Sequence, residues 1–301
     1  MKILVIFTGG TIGSTVENGA ISPNRDTKFF LINDFYDRFG RVCDFLCREP
    51  YFALSENLDA VTLNKLISEV KSGLDAGFDG IIVTHGTDTL QFSAAAVGFA
   101  AREAKIPIIF VSSNYPLTDT RANGRDNFKA AVDHIMSGGQ SGVYIAYKNH
   151  DSAVRLIPAN GAYTFLEDDD RIFASKGAVS CDVSDFTLCD DPEILVISAH
   201  PGDGYSYSLD KVKAIVIRPY HSGTLPTESE KLKAFCKRAW KTEIPLFLCG
   251  GAEGLTYESS SQYEALGIIP LPCAPFAAAY IKLWIGISRQ ENLKEFMKNG
   301  G

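Results

Sequence analysis

The sequence has no cluster of lysine or arginine, no Cys-x-x-Cys pair and no apolar run long enough to span a bilayer. Each absence closes off a class of function. The basic residues are scattered and the formal net charge is -7, so no electrostatic footprint for nucleic acid or for an anionic membrane is read. A small-molecule ligand is expected instead. The seven cysteines (Cys43, Cys47, Cys181, Cys189, Cys236, Cys249, Cys273) are an odd number. Without paired spacing they read as reduced thiols buried as small hydrophobes, with no metal site or cofactor. The first apolar run, Ile3 to Phe7, is five residues long and ends at glycines. That is too short for the apolar region of a signal peptide, so a cytoplasmic protein without export or membrane attachment is expected. No repeat or low-complexity tract is found.

The chain has 301 residues, 46% of them hydrophobic and 22% charged, the balance of a globular enzyme long enough for two domains. Short β-branched runs alternate with helical patterns: strands at 3–7, 80–84, 106–111 and 142–147, helices near 30–39, 59–76, 88–104 and 122–137. Such alternation predicts βαβ units and a mostly parallel sheet covered on both faces. Periodicity fades between Lys148 and Pro192, which puts a domain boundary near 190, with domains at 1–190 and 191–301. The second domain repeats the grammar with strands 194–199, 213–218 and 244–249 and helices 226–241, 258–266 and 274–298. Pro226, with Glu228 and Glu230, is expected to open the first of these helices.

Two threonines sit in glycine-bearing turns just after predicted strands: Thr11 in Thr8-Gly9-Gly10-Thr11-Ile12-Gly13, and Thr87 in His85-Gly86-Thr87-Asp88-Thr89. In an open parallel sheet, ligands bind beyond the carboxyl ends of the strands, so both hydroxyls are expected at one pocket. A hydroxyl becomes a useful nucleophile when a base takes its proton and backbone N–H groups hold the developing oxyanion, and glycines supply room and donors for both. The competing reading of the first turn is a phosphate cradle, because it departs from G-x-G-x-x-G only at Thr8. That reading loses ground because residues 14–25 read as a mobile, turn-rich loop rather than the required helix. Thr87 and Asp88 also suit a helix cap, and His85 reads as a core histidine bonded to backbone. A third stretch, Leu54-Ser55-Glu56-Asn57-Leu58, offers a hydroxyl and a carboxylate that could complete a pocket for a zwitterion, with Glu56 and Asp88 on the ammonium. The acidic run at 167–170 reads as a solvated turn rather than a cation site.

With these residues in place, the chain resembles the bacterial L-asparaginase family over nearly its whole length. The two threonine turns match that family's two active-site motifs, and Ser55-Glu56-Asn57 matches the substrate-holding loop between them. The resemblance implies an α/β fold with a larger N-terminal flavodoxin-like domain and a smaller C-terminal Rossmann-like one. It implies that Thr11 attacks a side-chain amide and releases ammonia, after which water hydrolyses the acyl-enzyme. Thr87 and Asp88 orient the amide or activate water and bind the substrate ammonium, while Gly10, Ser55, Glu56 and Gly86 bind substrate. Assembly as a homodimer or homotetramer is implied as well.

The resemblance fails at several positions. Ala20 stands where the family carries a tyrosine, and an ungapped alignment puts Ala159 at the place of its lysine. Lys148, Lys176, Arg155 and Tyr36 are candidate substitutes, Ala122-Asn123-Gly124 replaces a Ser-Asp-Gly, and Thr224 replaces an asparagine. The alternative to an active amidohydrolase is therefore a homologue that keeps the pocket, binds ligand and turns over weakly or not at all.

Overall fold

The structure, a computed structural model, describes residues 1–17, 19–150, 152–164, 170–250, 257–271 and 273–298. The chain divides into two compact units, one of residues 1–174 with 183–185 and one of residues 175–182 with 186–301.

In the first unit the elements run β1 (Lys2–Phe7), β2 (Ser14–Glu17), β3 (Ala20–Pro23), α1 (Thr27–Phe39), β4 (Asp44–Arg48), α2 (Ala60–Asp75), β5 (Gly80–Thr84), α3 (Leu90–Ala100), β6 (Pro107–Val111), α4 (Gly124–Met136), β7 (Gly142–Tyr147), β8 (Arg155–Pro158), β9 (Ala162–Thr164) and β10 (Ile172–Ala174). The main sheet has the order β4-β1-β5-β6-β7-β8. All its pairings are parallel except that of β8 with β7. Counted by parallel strands alone, this is the 2-1-3-4-5 order of a flavodoxin-like sheet. The order reverses between β1 and β5.

Every residue of β5 and β6 is buried, as strands covered on both faces require. Ile3, Val5 and Phe7 of β1 pack with Leu31 and Phe35 of α1 and Phe128 and Val132 of α4 in one core. Leu4 and Ile81 face Gly73 of α2 on the opposite side, as the alternation of side chains along a strand dictates. Aromatic rings fill the α1 side, with Phe35, Phe45 and Phe128 at centroid separations of 5.5–5.6 Å.

Strand β4 is an edge that the sequence did not announce, since Asp44 and Arg48 break its apolar run. Its outer side is covered by one side chain. Asp44 N–H donates inward to Met1 O, so Cys43 C=O and Phe45 N–H face away from β1. Tyr36 Oη donates to Cys43 O (3.1 Å) and accepts from Phe45 N (3.3 Å). The phenol thus occupies the place of a neighbouring strand.

The segment expected to be a mobile loop, 14–25, is instead an antiparallel hairpin of β2 and β3, anchored at its base by Asn24 N–H donating to Gly13 O (2.9 Å). Among the acidic residues 167–170, only Asp170 lies within the described part; it accepts a hydrogen bond from Asn114 Nδ2 (3.0 Å).

In the second unit four strands, β11 (Ile194–Ser198), β12 (Ala214–Arg218), β13 (Leu246–Cys249) and β14 (Ile268–Leu271), form an all-parallel sheet in sequential order. They are accompanied by α5 (Glu230–Lys241), α6 (Phe276–Ser288) and α7 (Leu293–Lys298). Three expectations need correcting here. Helix α5 does not begin at Pro226; it is capped by Ser229, whose hydroxyl accepts from Leu232 N. The predicted helix 258–266 is a set of turns with one 3-10 turn at Ser260–Gln262. There Ser260 and Ser261 spend their hydroxyls on the carbonyls of Tyr257 and Glu258, the local competition that disfavours helix. The single helix 274–298 is two, because Gln290 adopts φ 59°. Glu291 N–H and Gln290 N–H then donate to Gly286 O and Ile287 O, a Schellman closure without glycine.

Among the described residues no helix is long and apolar enough to cross a membrane. Nor is there a group of three or more His, Cys, Asp or Glu placed to hold a metal ion.

Candidate active site

The chain leaves β1 and β5 in opposite directions, which opens a crevice between their carboxyl ends. Three segments meet there. After β1, Gly9 (φ 100°) and Gly10 (φ 75°) take conformations reserved for glycine, and residues Thr11–Gly13 form one 3-10 turn. The segment after β4 runs alongside: Ala53 N–H donates to Thr8 O (3.0 Å), and Gly10 N–H donates to Ala53 O (3.1 Å). It continues into the 3-10 turn Ser55–Asn57 and then into α2. That helix is fixed by a capping box, with Asp59 accepting from Thr62 N (2.8 Å) and donating its own N–H to Thr62 Oγ1 (3.0 Å).

The third segment, after β5, presses directly on the other two. A Cβ on Gly10 would collide with the backbone of Gly86, and one on Gly86 would collide with Ser55 Oγ. Gly9 is closed in the same way by the carbonyl of Ala53. The structure therefore brings Gly10, Gly86 and Ser55 into contact and seats Thr11 and Thr87 one residue beyond the touching glycines, both half-buried.

Hydroxyls tie the cluster together. Thr8 Oγ1 donates to Thr84 O (2.8 Å), joining the ends of β1 and β5. Ser14 Oγ donates to Gly10 O (2.7 Å), and Thr89 Oγ1 donates to Ser55 O (2.8 Å). Ser55, buried, donates to the exposed Asp88 at Oδ2 (3.1 Å). Thr8, Ser14, Thr89 and Ala53 are members that sequence reading missed. The first three sit inside or beside the motifs and carry hydroxyls, a usable signal; Ala53 acts through its backbone and gives none. Glu56 is exposed and, among the described residues, makes no hydrogen bond to the cluster.

His85 is a fully buried structural histidine. Gly86 O can only accept, so Nδ1 carries the proton (2.9 Å), and Nε2 accepts from Ser93 Oγ (2.9 Å). Burial pushes its pKa down from 6.5 to about 4, against smaller opposing effects of the Gly86 carbonyl and Asp88. The ring is neutral at pH 7.

Of the candidate substitutes in the first unit, none is bonded to Asp88 among the described residues. Lys148 Nζ is paired with Asp126 Oδ2 (2.7 Å), Arg155 is exposed on the edge strand β8, and Tyr36 is held on β4. Lys176 is exposed and belongs to the second unit. Ala159 is buried, and a Cβ on Gly98 of α3 would meet its methyl at 3.3 Å. Asn123 of the Ala122-Asn123-Gly124 stretch is structural: its Oδ1 accepts from Asn114 N (2.9 Å) and its Nδ2 donates to Lys148 O (2.9 Å). Thr224 shares a hydrogen bond with Ser222 (3.0 Å) in the second unit.

The family model described as asparaginase, N-terminal, matches residues 2–178, which holds all three segments. The chain belongs to the asparaginase family. Amide hydrolysis is the class of chemistry that membership supports. An L-asparaginase of Thermococcus kodakarensis is 24% identical over 322 aligned residues, covering 99% of this chain and 96% of that protein. A glutamyl-tRNA(Gln) amidotransferase subunit of Methanosarcina mazei is 36% identical over 143 residues, 44% of this chain and 32% of that protein. The chain thus spans only about a third of the length of the amidotransferase subunits it matches. Among solved structures, the thermostable L-asparaginase from Thermococcus kodakarensis superimposes with a TM-score of 0.76 at 21% identity, covering 99% of this chain and 96% of that one. L-asparaginase I from Vibrio cholerae gives 0.76 at 18%, covering 98% and 95%. The asparaginase fold is therefore shared along the chain, with the mostly parallel α/β sheet its sequence predicted.

Proposed function

We propose that this chain hydrolyses the side-chain amide of asparagine or a close relative through Thr11. The observation that carries the proposal is the backbone contact of Gly10 with Gly86, which brings the two threonine turns together. Thr11 Oγ attacks the amide carbon and gives up its proton. Backbone N–H groups of the glycine turn hold the oxyanion, and the C–N bond breaks as the nitrogen is protonated and leaves as ammonia. Water then cleaves the Thr11 ester to release the acid. Thr87 and Asp88 orient the amide or the water, while Ser55, Glu56 and Asp88 hold the substrate's carboxylate and ammonium. Likeness to the family also supports a homodimer or homotetramer, and a structural neighbour described as a probable cytoplasmic L-asparaginase of Campylobacter jejuni supports a cytoplasmic setting.

A second reading, a ligand-binding homologue with weak or lost turnover, is favoured by Ala20, by the buried methyl of Ala159 and by the commitment of Lys148 to Asp126. A missing general acid or base is worth ~10²–10⁴ in rate. Ammonia release from asparagine, glutamine and a panel of amides separates the two readings. The first expects release that Thr11→Ala abolishes; equal release from wild type and variant refutes it. The second expects aspartate binding by calorimetry without release.

A further inference from the structure

The segment that carries Ser55 also carries a hydroxyl with no part in the chemistry above. Tyr51 Oη is buried and makes no hydrogen bond of good geometry, although Thr8 lies beside it. Burial pushes this phenol up to about 12, so it keeps a proton to donate at any physiological pH. Against it lies a small cavity of about 10 Å³, lined by Thr8, Tyr51, Ser55, Asn57, Thr62 and His85 together with apolar side chains of the same segment. That is the room of one water, and the hydroxyls in the lining are partners for it.

We propose that Tyr51 is a positioning residue that holds one water beneath the site, joining the Ser55 segment to the ends of β1 and β5. The proton count closes. Thr8 has its own proton on Thr84 O (2.8 Å), and Ser55 has its own on Asp88 Oδ2 (3.1 Å). Each hydroxyl oxygen is therefore left as an acceptor. Both nitrogens of His85 are occupied by Gly86 O and Ser93 Oγ. A water that accepts from Tyr51 Oη has two protons to give, and the Thr8 and Ser55 oxygens are acceptors in the cavity lining, beside the Asn57 amide and the Thr62 hydroxyl. With its acceptor side filled, Ser55 has one remaining orientation, toward Asp88. The role of Tyr51 is thus to keep the Ser55–Asp88 pair in the geometry that receives the ligand, and its effect falls on binding rather than on bond cleavage. Only the turnover readout rests on the function proposed above.

Two measurements on the full chain test this. A crystal structure that resolves ordered waters is expected to show one within hydrogen-bond distance of Tyr51 Oη and of the Thr8 or Ser55 hydroxyl, and Tyr51→Phe is expected to lose it; a wild-type structure without that water overturns the proposal. In kinetics with asparagine, Tyr51→Phe is expected to raise KM about tenfold, the equivalent of one hydrogen bond, with kcat within twofold. A fold defect would instead lower the active fraction, and so kcat, at unchanged KM; that outcome, or no change in either, overturns the positioning role. If wild type releases no ammonia, it is the hydrolase reading that fails, and the dissociation constant for aspartate by calorimetry replaces KM. Tenfold weaker binding by Tyr51→Phe then supports the role. Equal binding, or no binding by wild type, overturns it.

Discussion

Acidification should weaken this protein through one residue, His85. The imidazole is fully enclosed, and its pKa is pushed down from 6.5 to about 4, chiefly because burial penalises the charged ring. An unfolded chain takes up this proton near pH 6.5, whereas the native chain refuses it until about pH 4. Between those values the unfolded state holds one more proton, so the unfolding free energy falls as pH drops, with a limiting slope of ~1.4 kcal/mol per pH unit. The total loss is about 3 kcal/mol, complete by pH 4 and absent above pH 7. The assay is the urea midpoint of wild type and of His85→Gln at pH 7, 6, 5 and 4.5. The variant loses some stability at pH 7 but is expected to show a slope shallower by one proton. The difference between the two proteins isolates the contribution of His85. Identical slopes would refute the reasoning, as would an imidazole resonance of His85 titrating near 6.5.

Gly86→Ala is expected to drive a methyl into Ser55 Oγ, lowering stability by ~1–3 kcal/mol and weakening aspartate binding; wild-type melting and affinity would contradict the packing. Tyr36→Phe leaves Cys43 C=O and Phe45 N–H unpaired at the sheet edge, a cost of ~1–3 kcal/mol. It should also promote concentration-dependent self-association in light scattering, and a variant whose mass distribution matches wild type at every concentration would rule this out.

The parallel sheet and both motif turns were legible because they rest on local signals: β-branched runs, glycines and hydroxyls in sequence. What escaped was decided at a distance or by backbone. Strand β4 pairs only because β1 offers it a ladder, and its charged ends hid it. The β2–β3 hairpin looked like a loop because its residues are turn formers, yet its register and the Asn24–Gly13 bond order it. Gln290 closes α6 in the left-handed region without the glycine that would have signalled it. At the site, Thr11, Thr87, Asp88 and Ser55 could be named from the chain alone. The Gly10–Gly86 contact could not, because it joins residues 76 positions apart, as the β1–β5 tie from Thr8 to Thr84 does. Lys148 is ruled out for a related reason: sequence shows which cations exist, whereas the structure shows that Lys148 already has a carboxylate.

The contact between Gly10 and Gly86 has a consequence for how such a protein can age. A Cβ on Gly10 meets the backbone of Gly86 and one on Gly86 meets Ser55, so neither position tolerates a side chain. Reactive side chains are under no such constraint. A lineage can exchange a phenol or an amine nearby while such a backbone contact persists. Catalysis is then the property such a lineage loses first and regains most easily, because the backbone contact outlasts the reactive side chains.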